Sequence, residues 1–167
     1  MKRNTAGYTL IELLLYISIA GILLLAVTSF FQLTLDARAK SQTIMEVDEQ
    51  GTALMEYITQ TVRNADSITT PVAGATGSSL TIAVPTAGLS PTIFDLTGTT
   101  AQVKEGVATA VALTNNKVQI SSLTFKNLTR GGTFGAVQVS FTVTRVNTSG
   151  LNAYDYSKTF TTTVALR

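Results

Sequence analysis

The chain has no cysteine and no histidine, and its 167 residues hold only three prolines. Without cysteine no disulfide can staple the fold, although this leaves the redox compartment open. Without cysteine and histidine the usual thiol nucleophiles, imidazole bases and soft metal ligands are missing. Charge is also sparse: Asp, Glu, Lys and Arg together make up 13% of the residues. None of the prolines falls before Pro71, so nothing of that kind interrupts a helix in the first third of the chain. No Gly-rich phosphate loop opens a helix, and no internal repeat is evident. Ser157 and Lys158 are adjacent, but strand neighbours point to opposite faces, which makes them a poor catalytic dyad. Glu46, Asp48 and Glu49 resemble a hard-cation cluster in composition, yet on a helix they fan around the axis and read as a solvated face. No catalytic residue, metal site or cofactor is expected, and the chain does not read as an enzyme.

Present instead is a long apolar run. Leu13 to Leu35 contains no charged residue. As a helix it would extend about 35 Å, enough to cross a hydrocarbon core of about 30 Å with some tilt. It is too long for the core of a secretory signal peptide, and no small-residue cleavage site follows it. Glu12 stands at its front edge. A carboxylate there is costly and marks a functional position whose partner has to be found. Flanking charges do not orient the run, because Lys2 and Arg3 on one side face Arg38 and Lys40 on the other.

The stretch Gly7-Tyr8-Thr9-Leu10-Ile11-Glu12, behind the basic Lys2-Arg3 and ahead of the apolar run, resembles a type IV prepilin. The resemblance implies a leader of residues 1–7, cleavage between Gly7 and Tyr8 by a prepilin peptidase, and N-methylation of Tyr8, where Phe is usual. It implies that Thr9, Leu10 and Ile11 are read by the peptidase and that Glu12 serves filament assembly. It further implies a single-pass protein of the inner (cytoplasmic) membrane, leader inside, that later enters an extracellular pilus or a periplasmic pseudopilus. The implied partners are membrane lipid before assembly, the prepilin peptidase/methyltransferase, an inner-membrane assembly platform and other pilin subunits. Family members commonly carry Pro at the position of Ser29. Its absence, and the resemblance of EVDEQGTALMEYITQTVRNADSI to W-type minor pilins and J-type pseudopilins, lean towards a minor subunit.

Beyond the apolar run, Ile44, Val47, Gly51, Leu54, Ile58, Val62 and Ala65 recur at steps of three and four, an amphipathic stripe. Residues 8–35 are therefore expected to form the transmembrane and filament-core part of one long helix, and residues 36–66 its amphipathic half. Gly51 within the stripe would permit a close approach. Residues 67–167 read as a β-sheet head. Leu80, Ile82 and Val84 alternate, as do Val137, Val139, Phe141 and Val143. Val118 and Ile120 alternate in one phase and Leu123 and Phe125 in the other, which predicts a bulge near Ser121-Ser122. Residues 85–116 have weak periodicity; short strands are expected near Thr92–Leu96 and Thr109–Leu113. Tyr154, Tyr156, Phe160, Val164 and Leu166 should line one face of a last strand. The expected fold class is α+β: a long N-terminal helix packed on a C-terminal antiparallel sheet, as in pilins.

Charge is split along the chain. Residues 8–66 hold three basic and seven acidic side chains, and residues 67–167 seven basic and three acidic. A solvated surface is the plainer reading. The alternative is a tip adhesin or DNA-capture role for the basic head, with Lys117, Lys126 and Arg130 near Phe125 and Phe134. Modest phosphate affinity that falls with salt would follow. Asn127-Leu128-Thr129 and Asn147-Thr148-Ser149 match the N-glycosylation pattern, which often arises by chance.

Overall fold

The computed structural model describes residues 9–131 and 134–167. It divides into two compact units, Met1–Ala39 and Lys40–Arg167. A single helix, α1 (Leu10–Arg63), supplies the described part of the first unit and the beginning of the second. In the first unit the side chains from Leu13 to Leu33 are exposed on all sides. Among the described residues α1 is the one helix long and apolar enough to cross a membrane.

In the second unit α1 has one buried face, formed by Thr43, Val47, Gly51, Leu54, Ile58 and Val62, with Ala65 following. This is the predicted stripe, except that Thr43 and not Ile44 begins it; Ile44 is half-buried. The stripe covers two antiparallel sheets, where the sequence suggested one. The first, sheet A, has the order β1 (Ser67–Thr70), β3 (Leu80–Ala83), β4 (Thr92–Thr97), β5 (Thr100–Glu105), β6 (Val111–Ala112). Sheet B has the order β2 (Thr76–Gly77), β7 (Val118–Asn127), β8 (Ala136–Arg145), β9 (Ser157–Ala165). β4 lies where a short strand was expected and β6 within the other, but β5 between them and the division into two sheets were not read from the sequence. In β4 and β5 the inward positions include Thr92 and Ala101 beside Phe94 and Val103, so apolar alternation is blurred. Gly98, at φ 62°, makes the turn between them.

The inner faces of both sheets and the α1 stripe share one core, with Phe94, Phe125 and Phe141 its largest fully buried side chains. The bulge in β7 is where the alternation changes phase. Ser121 pairs with Thr142 but Thr124 with Ser140, and Ser122 takes φ 53°. One extra residue thus returns Leu123 and Phe125 to the core side. The last strand starts later than expected, since Asn152–Tyr154 form a short 3₁₀ turn. Within β9, Phe160 and Val164 face inwards, and the outward threonines bond across to β8: Thr142 Oγ1 lies 2.8 Å from Thr159 Oγ1 and Ser140 Oγ 2.9 Å from Thr161 Oγ1.

The acidic side chains beside the stripe are not simply solvated. Glu46 meets Lys117 Nζ at 3.4 Å and accepts a bond from Asn115 Nδ2 at 2.7 Å. Asp48 meets Lys158 Nζ at 2.9 Å. The Asn115 amide and, after the opposing effect of burial, the Lys117 ammonium hold the Glu46 carboxyl below its ordinary range. Part of the charge asymmetry between the halves is therefore used within the chain, to seat α1 on sheet B.

Candidate functional site

Gly7 and Tyr8 lie outside the described residues, so the site is built from Thr9 onwards. Thr9 caps α1. Its carbonyl accepts from Glu12 N at 3.1 Å and Leu13 N at 3.2 Å, and its Oγ1 lies 3.4 Å from Glu12 N. A threonine three residues before a glutamate is the sequence pattern of a capping box, and the threonine half of it is formed here. Leu10 and Ile11, the next residues of the predicted peptidase segment, are exposed by 79% and 77% and offer apolar surface at the helix start. Glu12 sits in the first turn, where the unpaired N–H groups and the helix dipole favour a negative charge. One turn on, Tyr16 Oη donates to Glu12 Oε1 at 3.3 Å. Thr9, Glu12 and Tyr16 therefore share a face. Tyr16 was not singled out from the sequence, although a hydroxyl four residues after a lone carboxylate is the signal that finds it.

The serine and threonine side chains of the apolar run are satisfied within the helix. Ser18, Thr28, Ser29 and Thr34 each donate to the carbonyl four residues earlier, at 2.8–2.9 Å. Such back-bonding lets hydroxyls exist in lipid without unmet hydrogen bonds. At Ser29 the helix is continuous.

The possible head sites fare differently. Phe125 is fully buried in the core. Lys117 and Lys126 flank opposite ends of β7, and Lys117 is paired with Glu46. The basic and aromatic grouping suggested by the sequence is thus split, leaving Lys126 and Arg130 with the exposed Phe134 on the side of the β7–β8 turn. Asn127 is buried, its amide donating to Pro71 O at 2.7 Å and its Oδ1 accepting from Thr129 N at 2.9 Å. It holds a turn and offers no acceptor for a glycan. Asn147 also bonds its own loop, through Leu151 O and Gly150 N. Glu46 and Asp48 are each committed to a different lysine, Lys117 in the turn before β7 and Lys158 on β9, which leaves no shared cation site between them. Among the described residues no group of three or more His, Cys, Asp or Glu is placed to hold a metal.

The apolar helix, its capped start and the first-turn carboxylate together suit a chain anchored in a membrane through its N-terminal part. No curated protein and no solved structure matches the chain. Residues 2–28 match the family described as the prokaryotic N-terminal methylation motif, so this N-terminal segment carries the type IV prepilin signature.

Proposed function

We propose that the protein is a structural subunit of a type IV pilus or related pseudopilus, processed between Gly7 and Tyr8 and assembled through α1. The observation that carries this reading is the methylation motif laid over an exposed apolar helix with Glu12 in its first turn. Cleavage after Gly7 creates a new α-amine on Tyr8, four residues before Glu12 in the sequence. That amine, from the same or an adjacent subunit, is the cation Glu12 requires in an apolar filament core. Paired between subunits, it fixes the register of one helix on the next, because a slipped subunit leaves both charges buried and alone. Removing one member of a buried pair costs about 3–5 kcal/mol.

Two measurements test the reading. Intact-mass and N-terminal analysis of protein from host cells should find Tyr8 first, with a methylated amine; cleavage elsewhere refutes the processing step. Glu12→Val should insert and be cleaved normally but be depleted in sheared filaments relative to membranes, with Glu12→Asp intermediate. Equal incorporation of Glu12→Val and parent removes Glu12 from assembly.

A further inference from the structure

Among the described residues each sheet has an unpaired edge beside α1, and the two edges differ in shape. β9 is the last strand of sheet B. Arg145 N donates to Tyr156 O and Leu166 N to Gly135 O, and between these bonds the register of β8 and β9 runs without a shift. In an antiparallel ladder hydrogen-bonded pairs alternate. The even-numbered residues of β9 therefore turn their main-chain groups to β8. Ser157, Thr159, Thr161, Thr163 and Ala165 turn theirs away, and no strand among the described residues meets them. Natural edges are usually blunted by shortness, proline, bulges or charge. This one runs for nine residues with no proline and no bulge, and its one charge, Lys158, is held by Asp48. A groove of about 360 Å³ lies alongside, between α1 and β9, with Met55 and Phe160 among its walls. An unpaired strand beside a partly apolar groove is the geometry that accepts an added strand.

The opposite flank of α1 carries the complementary shape. β6 closes sheet A, and Thr109–Leu113 around it contains no charge. Leu113 N donates to Ala101 O at 2.8 Å, so Ala112 turns its main-chain groups outwards. Val111 pairs with the buried Val103 and shares its inner face, yet is 59% exposed because no strand among the described residues lies beyond it.

Direction and height also agree. Along α1, Asp48 meets Lys158 and Gly51 meets Phe160, so β9 runs with the helix. On the other flank Tyr57 bonds Glu105 while Gln50 bonds Asn115, so the chain between them runs against it, over the same stretch of α1. Two copies set side by side with their helices in one direction bring β6 of the first antiparallel to β9 of the second, inner faces on the same side.

We propose that this chain joins to a second copy of itself by strand addition: Thr109–Leu113 of one copy pairs with the open edge of β9 on the next, and Val111 enters the groove beside Phe160. The contact uses different surfaces on the two partners, so it repeats along an assembly. The common direction of the copies rests on the filament reading; the edge geometry does not.

The cysteine-free sequence makes the test clean. Val111→Cys combined with Thr162→Cys in the full chain, treated with a short bifunctional thiol reagent in membranes and sheared filaments, should give a ladder of multiples of the chain mass. Each single variant should give none. Adding Thr161→Pro should abolish the ladder. The Thr161 N–H points away from β8, so this change leaves the internal ladder bonded, and an unchanged circular dichroism spectrum verifies the fold. A dimer from Thr162→Cys alone would mean that β9 pairs with β9, and a product of another mass that a different protein occupies the edge; either overturns the proposal, as does the absence of product. Glu12→Val separates the two ideas: if it blocks filament incorporation and the double variant gives no ladder, assembly stands and strand addition falls. If Glu12→Val incorporates normally, the assembly role of Glu12 falls, and the ladder in membranes still decides the edge.

Discussion

Gly51 offers a test whose sign decides the matter. It lies on the buried face of α1, and a Cβ built there would overlap the Cε2 and Cζ atoms of Phe160. In an unobstructed helix interior, Gly→Ala gains about 0.8–1.0 kcal/mol of helix propensity. Here the added methyl must displace the ring. Overpacking of this kind costs about 1–3 kcal/mol. The ring can escape, because β9 is an edge strand and Phe160 is only half-buried. Escape breaks its stack on Phe141, at 5.6 Å between centroids and 19° between planes. Aromatic pairs of this kind contribute about 0.5–1.5 kcal/mol beyond their buried area. The net expectation for Gly51→Ala is a loss of about 0–2 kcal/mol, a fall in Tm of up to roughly 10 °C for a domain of this size. Gly51→Val gains less propensity and adds more volume, so it should lose more. In a Phe160→Ala background the same Gly51→Ala change should turn stabilising, by about 1 kcal/mol. Thermal and urea unfolding of the four chains of this cycle would measure it. A Gly51→Ala single variant that is about 1 kcal/mol more stable than the parent would refute the close approach.

Leu54→Asp places a carboxylate at a position 1% exposed and should cost several kcal/mol, read as loss of cooperative unfolding of the head. Asn127→Leu leaves the buried Pro71 O unmet, at about 1–3 kcal/mol, and removes the acceptor of the half-buried Thr129 N, so the urea midpoint should fall clearly. Glu46 has a lowered carboxyl pKa in the folded state, so its stabilising contribution is present above the unfolded value near 4.5 and is lost as pH falls through the folded one. Glu46→Gln should therefore be modestly less stable than the parent at neutral pH, and the gap should narrow as pH falls below 4.5, as followed by unfolding midpoints across pH. DNA binding by the head should be weak at low salt and vanish at physiological salt, since Lys117 and Lys158 are engaged with carboxylates; tight, salt-insensitive binding in a filter or anisotropy assay would contradict this.

Much of this protein was legible without a fold. The uninterrupted run after Glu12, the stripe from Val47 to Val62 and the alternation of Val137 to Val143 are local patterns of apolar residues, and each reports its own secondary structure through their spacing; the Gly7-to-Glu12 segment was legible in another way, as a motif that resembles a family's. The phase change between Ile120 and Leu123 even marked the bulge, because strand faces alternate strictly and an extra residue must reverse them. Tertiary structure alone decided the rest. The strand expected near Thr92–Leu96 is present as β4, but β5, whose inward Ala101 blurs its alternation, was not legible, and only strand order shows that the two belong to a second sheet. Glu46 and Asp48 gained lysine partners from the turn before β7 and from β9, more than seventy and one hundred residues away, and no spacing along the helix announces such a pairing. Gly51 pointed to a close approach, but that Phe160 makes it depends on where β9 lies. The open edges of β6 and β9 follow from strand order. Strand order is set by which non-local contacts bury most apolar surface together, a property of the whole chain and not of any window in it.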